Sequence, residues 1–555
     1  MRPSTPLTTR ATLLAATSLF SLAAGASIDP IVISGAKFFH QNSGDQFFIK
    51  GIAYGSDYVG VGAGTDTKGG FTDVLANPAG CQRDIPYFQE LNTNLIRVYD
   101  IDSTANHDEC MSMLANAGIY VLADLSNPDT SITSNDPEWT DTLYASYAAV
   151  VDVMAQYDNT FGFFAGNEVA TQPNNTGSAP FVKAAVRDMK AYIKQQNYRS
   201  IGVGYATNDN TYIRVLLADY FNCGDQTDAI DFWGYNIYEW CGQSTYATSG
   251  YQARTEEFMT YSVPSFFAEY GCNTIEPRIF EEVGALYGPN MSPVWSGGVV
   301  YEYFQAANDY GLVTLGSNSQ ITTLPGFQNY KTQIAKVSPS SVASSAYTPS
   351  NQPQACPSSQ SYFRAQPTPL PPTPNEELCS CMYSALTCAV NPSTNVQEYA
   401  DDFGYICQHS PNACLGFQHS SGTGTYGAYS MCNATQQLGW AFNYYYFVNG
   451  KASTACDFGG HGQLRTPASL SSTCKSLLAE AGGKGTNTVT SSPSGTGAGA
   501  AGSAGSASGS SGSSSGSTSH GAAGSIAVMR SENAFAAMMC VVMLAMVSGF
   551  AAVLL

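Results

Sequence analysis

Phe161-Gly162-Phe163-Phe164-Ala165-Gly166-Asn167-Glu168-Val169 is a short apolar run that stops at an amide and a carboxylate, and Ser265-Phe266-Phe267-Ala268-Glu269-Tyr270-Gly271-Cys272-Asn273 stops in the same way. Runs of this length bounded by glycine read as buried strands, and a carboxylate that closes one stands at its C-terminal end. Working outward, similar runs occur at Phe47–Tyr54, Leu95–Tyr99, Tyr120–Asp124, Ile201–Tyr205, Ile230–Tyr235 and Gly298–Tyr301, with amphipathic stretches between them. Eight runs in one span match the strands of an α/β fold, a (β/α)8 TIM barrel, with both acids on the C-terminal face where such barrels carry their chemistry. An irregular α+β domain stays open on periodicity alone. The clearest intervening helix is predicted from Pro180 to about Gln196: Val182, Val186, Met189 and Ile193 share a stripe, while Lys183, Arg187 and Asp188 face elsewhere.

The two ends lie outside any core. Residues 1–26 combine Arg2 and Arg10 with an apolar stretch that finishes in small residues, which predicts a secretory signal peptide. The apolar tail Ala534–Leu555 ends the chain with no basic flank, and Gly521-Ala522-Ala523 lies upstream of it. That order predicts a GPI signal with Gly521 as attachment residue and 522–555 removed on maturation, a single-pass helix being the alternative. Residues 477–521 are rich in Ser and Gly and read as a stalk.

Fifteen cysteines include Cys540 in the tail, so fourteen remain to pair in a secreted chain. A net charge of −19 argues against a nucleic-acid partner and suits a neutral polymer. Six scattered histidines offer no zinc-ligand spacing, so no metal and no cofactor are expected. Gly60-Val61-Gly62-Ala63-Gly64 lacks the lysine of a phosphate loop. Sequons stand at Asn174, Asn290 and Asn433.

Paired carboxylates at strand ends suit cleavage of a glycosidic bond, one as acid/base and one as nucleophile. Asn167 has an amide for a sugar hydroxyl. Tyrosines and tryptophan near the predicted strand ends, among them Tyr54, Tyr99, Tyr238, Trp240, Tyr301 and Tyr310, would line a cleft for a neutral glycan; Tyr270 and Tyr303 belong to the same set. Asp124 ends the third run and is expected at the same mouth.

The motifs Gly166-Asn167-Glu168-Val169, Phe267-Ala268-Glu269-Tyr270-Gly271-Cys272-Asn273 and Asn236-Ile237-Tyr238-Glu239-Trp240-Cys241-Gly242 resemble those of fungal GPI-anchored β-1,3-glucanosyltransferases of glycoside hydrolase family 72. The resemblance implies Glu168 as proton donor and Glu269 as nucleophile, with Tyr99, Asp124, Asn167, Tyr238, Tyr301 and Tyr310 on the substrate. It departs at Gly55, where the family commonly has Gln. Residues 377–476, with eight cysteines, resemble the X8 domain, also classed as carbohydrate-binding module family 43. The family pattern implies Cys81–Cys110, Cys223–Cys356 and Cys241–Cys272 in a catalytic part at 27–340. It implies Cys379–Cys432, Cys381–Cys474, Cys388–Cys456 and Cys407–Cys414 in the module. Between the two lies a Ser/Pro-rich connector, 341–376, tied back through Cys356.

The expected activity is retaining transfer between β-1,3-glucan donor and acceptor chains, outside the plasma membrane on a GPI lipid or in the cell wall. An endo-β-1,3-glucanase and a non-catalytic glucan-binding wall protein are the rivals. The acid pair is expected to titrate jointly, with Glu269 ionised and a bell-shaped rate profile peaking at roughly pH 4 to 6.

Overall fold

The computed structural model describes residues 28–55, 72–127 and 130–489. The expected signal peptide, the Gly60–Gly64 loop, Gly521 and the apolar tail lie outside the described residues, as does the stalk from residue 490 on.

Eight parallel strands close a barrel in chain order: Ile49–Ala53, Leu95–Val98, Tyr120–Asp124, Thr160–Asn167, Gly202–Thr207, Trp233–Asn236, Ser265–Tyr270 and Trp295–Val300. The eighth pairs with the first, with Val300 opposite Ile52. Alternation along each strand divides the apolar residues into two cores. Leu95, Tyr120, Leu122, Phe164, Phe266 and Val299 fill the barrel, while Ile96, Val98, Val121, Ala123 and Phe163 pack outward against the helical layer. Interior glycines make room for rings: a Cβ on Gly204 would lie 2.3 Å from the Phe232 ring, and one on Gly234 would lie 2.5 Å from Phe164.

The run from Phe47 to Tyr54 is two elements. Gln46–Phe47 joins Ile31–Ser34 and Lys37–His40 in an antiparallel sheet, and the first barrel strand starts at Ile49. Phe38 of that sheet packs on Phe161, with ring centroids 4.7 Å apart, and also meets Phe232 and Phe266. The N-terminal end of the barrel is therefore plugged by aromatic rings, and the polar strand ends gather at the opposite, C-terminal end.

The helix Ala179–Gln195 buries Val182, Val186, Met189 and Ile193, as its stripe predicts. It also buries Phe181, Lys183 and Asp188, because its outer face is covered in turn. Asp188 accepts from Trp139 Nε1 at 2.8 Å and from Thr373 Oγ1 at 2.7 Å, and the adjacent Arg187 donates to the Pro371 carbonyl at 3.0 Å. Phe181 meets His419 and Tyr426 edge-on. The connector is thus strapped to the barrel rather than free: Phe363 and Ala365 are buried in the outer core, and Tyr220 donates to the Gln366 carbonyl.

The cysteine-rich module is built on helices Glu376–Ser384, Tyr399–His409, Ala434–Val448 and Ser472–Ala481. Its last helix passes the boundary expected at 476, because Leu477 and Ala481 are part of the module's core and Val489 packs against it. Disulfides join Cys379–Cys432, Cys381–Cys474, Cys388–Cys456 and Cys407–Cys414 in the module, and Cys81–Cys110, Cys223–Cys356 and Cys241–Cys272 in the barrel and connector. Asn174 and Asn290 are exposed. Asn433 caps the helix Ala434–Val448 in a reciprocal capping box with Gln436, which ties its side-chain oxygen to the backbone.

Candidate active site

Glu269 lies on the seventh strand, one residue before its end, and is 9% exposed. Three donors converge on its carboxylate: Arg97 Nη1 at 3.2 Å and the Tyr99 hydroxyl at 3.1 Å on Oε1, and the Tyr238 hydroxyl at 2.9 Å on Oε2. Burial pushes Glu269 up to about 7, opposed by Arg97, raised further by Glu168 and drawn down by the two tyrosine hydroxyls. Desolvation thus outweighs its three donors.

Glu168 follows the last residue of the fourth strand and turns into the left-handed region, with φ +50°. Such a backbone is unusual for a residue with a side chain and marks a constrained position. Its amide donates to the Ala206 carbonyl at 2.8 Å on the fifth strand. Asn236, ending the sixth strand, donates to Glu168 Oε1 at 2.7 Å and to Asn167 Oδ1 at 3.0 Å. Asn167 also accepts from Arg97 Nη2 at 3.0 Å. Arg97 and Asn236 therefore bridge the ends of strands two, four, six and seven. Both acids belong to one connected polar layer.

Arg97 is the hub. It is fully buried, makes a two-pronged bond to Asp124 at 3.1 and 2.9 Å, and lies over the rings of Tyr99 and Phe164 at 4.5 and 4.7 Å. Burial opposes its charge, but Asp124, Tyr99 and Glu269 outweigh that and raise its pKa. Asp124 is only 3% exposed, with both oxygens on Arg97. It lies beneath the site as the support of Arg97, not on the cleft surface where sequence reasoning placed it.

Of the aromatic candidates, Tyr99, Tyr238, Tyr301 and Tyr310 are partly exposed. Tyr310 meets Tyr238 and Tyr301 edge-on at 5.4 and 5.3 Å, so the three form one wall beside Glu269. The buried Arg278 binds the carbonyls of Gly271, Tyr301, Tyr310 and Gly311, tying that wall to the loop after Glu269. Tyr54, Tyr270 and Tyr303 are withdrawn into the outer core, and Tyr54 and Tyr303 share the buried Asp84. Trp240 is likewise buried and bonds the Gly242 carbonyl. Gly55 follows Tyr54 at the end of the first strand and supplies no side chain there.

Sequence reasoning missed Arg97 and Asn236 as site residues. The signal for Arg97 was alternation: Leu95, Arg97 and Tyr99 share a face, and a charge on the inward face needs a partner such as Asp124.

The glucanosyltransferase family profile matches residues 20–338, and the X8 domain profile matches 386–463. A 1,3-beta-glucanosyltransferase of Arthroderma benhamiae is 49% identical over 504 residues, covering 87% of this chain and 92% of that protein. The 1,3-beta-glucanosyltransferase gas1 of Schizosaccharomyces pombe is 44% identical over 481 residues, covering 86% of each. Among solved structures, Saccharomyces cerevisiae Gas2p in complex with laminaritetraose and laminaripentaose superposes with a TM-score of 0.73 at 40% identity, covering 81% of this chain and 97% of that one. With a closed parallel barrel bearing two acids at its C-terminal end and a disulfide-rich module behind it, the chain belongs to the glucanosyltransferases of glycoside hydrolase family 72.

Proposed function

We propose that the chain is a retaining β-1,3-glucanosyltransferase that elongates cell-wall glucan, with Glu168 as acid/base and Glu269 as nucleophile. The observation that carries this reading is the convergence of Arg97, Tyr99 and Tyr238 on Glu269, in the same polar layer that holds Glu168 through Asn236. Glu168 gives its proton to the glycosidic oxygen as a Glu269 oxygen attacks the anomeric carbon; the C–O bond breaks and the reducing-end fragment leaves. A glycosyl ester remains on Glu269. Glu168, now a carboxylate, takes the proton of a 3-hydroxyl at the non-reducing end of a second glucan. That oxygen attacks the anomeric carbon, the ester breaks, and Glu269 is released as a carboxylate. The wall of Tyr238, Tyr310 and Tyr301 supports stacking against sugar rings, which would favour an incoming glucan over water. Asn167, ending the fourth strand beside Glu168, is assigned to the donor sugar.

Incubation with a reduced laminari-oligosaccharide tests the reaction. Products longer than the substrate are expected, with newly formed β-1,3 linkages; shorter products alone would make the protein an endo-β-1,3-glucanase, and none at all a glucan-binding protein.

The proposal extends to location: secretion after cleavage of residues 1–26, glycosylation at Asn174, Asn290 and Asn433, and a GPI lipid on Gly521 at the outer plasma membrane. The expected result is release of the protein from cell membranes by a phosphatidylinositol-specific phospholipase. Retention of residues 534–555 in the mature chain, detected by mass spectrometry, would instead mean a membrane-spanning tail.

A further inference from the structure

We infer that Glu239 carries a proton that it shares with Asp209, and that this carboxyl pair is a positioning device holding Tyr238 on the nucleophile. Glu239 directly follows Tyr238 on the loop after the sixth strand, and Asp209 lies on the loop after the fifth. Asp209 Oδ1 accepts from Arg214 Nη1 at 2.9 Å and from the Tyr235 hydroxyl. Glu239 Oε1 accepts from Arg254 Nη1 at 3.1 Å and lies 3.8 Å from Arg214 Nη1. Its other oxygen, Oε2, is buried and has no hydrogen-bond donor.

The Glu239 carboxyl lies beside that of Asp209, both on Arg214 Nη1, and its orphan oxygen abuts the bare Cα of Gly250. Gly250 has φ +91°, and a Cβ there would lie 2.0 Å from Glu239 Oε2, so the backbone is shaped around the carboxyl. A third acid, Glu257, accepts from Arg254 Nη2 at 2.7 Å and Arg214 Nη2 at 3.5 Å, and Tyr251 borders the same cluster.

Three carboxyls thus face two guanidiniums. Fully ionised, the cluster carries one excess negative charge, and two carboxylates oppose each other without a proton between them. One proton on the Glu239 carboxyl removes the excess charge and lets that carboxyl donate toward Asp209. Burial, reinforced by Asp209 and opposed by Arg254 and Arg214, pushes Glu239 up to about 7. When that proton leaves, repulsion between Asp209 and Glu239 acts on the two loops they join. Tyr238, whose hydroxyl donates to Glu269 Oε2 at 2.9 Å, is the adjoining residue.

The inference rests on Glu269 being the attacking carboxylate, and its consequence is a second proton in the basic limb of the rate profile. Loss of the last proton from the catalytic pair gives log(kcat/KM) a slope of about −1 against pH; loss of the shared proton as well steepens it toward about −2. Glu239→Gln supplies a permanent donor toward Asp209, and Asp209→Asn supplies one toward Glu239.

The test measures kcat/KM for transfer from pH 4 to 9 on the full secreted chain, with melting temperature followed at each pH. Either variant is expected to keep its rate at pH 5 within about threefold of the parent and to return the limb to about −1. A parent slope of −1, unchanged in a folded Glu239→Gln, overturns the inference. So does a Glu239→Gln protein that is unfolded or inactive even at pH 5 while Asp209→Asn behaves as parent, since Glu239 would then be needed as an anion for Arg254. Failure of the catalytic reading itself is separable: it would appear as activity surviving Glu269→Gln, whatever the slope.

Discussion

Glu269→Gln is expected to lower the initial rate of glucan transfer by about 10⁴-fold or more, because an amide cannot form the glycosyl ester on which both half-reactions depend. The substitution is close to isosteric. The amide oxygen can still accept from Arg97 and Tyr99, and its NH2 can donate to the Tyr238 oxygen, so the polar layer keeps its bonds. Removing a carboxylate whose burial pushes it up to about 7 also relieves a desolvation cost at neutral pH. The melting temperature at pH 7 should therefore equal or exceed the parent's, which separates chemical loss from unfolding. Glu168→Gln makes a contrasting prediction. It removes proton donation to the leaving oxygen and lowers transfer by about 10³-fold, yet a β-glucosyl fluoride donor, whose leaving group needs little protonation, should still load Glu269. Mass spectrometry of the quenched enzyme would show the ester in Glu168→Gln and none in Glu269→Gln. A folded Glu269→Gln protein with parental transfer would refute the assignment.

As the proposed nucleophile Glu269 must be ionised to attack, and burial pushes its pKa up to about 7, so the rate is expected to fall as Glu269 becomes protonated on the acidic side.

What was legible in the sequence follows from what strands and helices repeat. All eight barrel strands overlap apolar runs, because a strand inside a layered barrel has few polar positions to confuse it. Their ends were less legible: Phe47 and Ile49 read as one run, although the chain leaves the plug sheet and enters the barrel between them. The two acids stood out because each interrupts such a run. Asp124 stood out for the same reason and was misplaced, since a run ending in a carboxylate does not say whether that carboxylate meets solvent or a buried guanidinium. Asn236 was hidden within a motif whose aromatic residues drew the reading. The helix Ala179–Gln195 shows the opposite limit: its inner stripe was periodic, but Asp188 is buried against a connector nearly two hundred residues away and Lys183 against the Tyr220 and Cys223 carbonyls, which no local pattern encodes.

Arg97→Met is expected to cost about 3–5 kcal/mol of stability and at least about 10²-fold in transfer, by two distinguishable routes. Methionine fills much of the same space between Tyr99 and Phe164, so packing loss is the smaller part. The larger part is electrostatic: Asp124 loses its two-pronged partner while buried at 3% exposure, and Glu269 loses one of its three donors. Burial already raises both acids, and without Arg97 both rise further above their unfolded values. For a carboxyl raised in the fold, the folded state binds more protons than the unfolded one, so stability is retained at low pH and lost as pH rises through the folded value. The melting-temperature gap between parent and Arg97→Met should therefore be small near pH 4 and widen toward pH 7 and above. Arg97→Lys cannot span Asp124, Glu269 and Asn167 with one ammonium and should recover only part of either property. Arg97→Met combined with Asp124→Leu removes the stranded charge and should regain most of the lost stability without regaining activity, because Glu269 and Asn167 still lack their common donor. A pH-independent gap, or a double variant as active as the parent, would show that Arg97 serves packing alone.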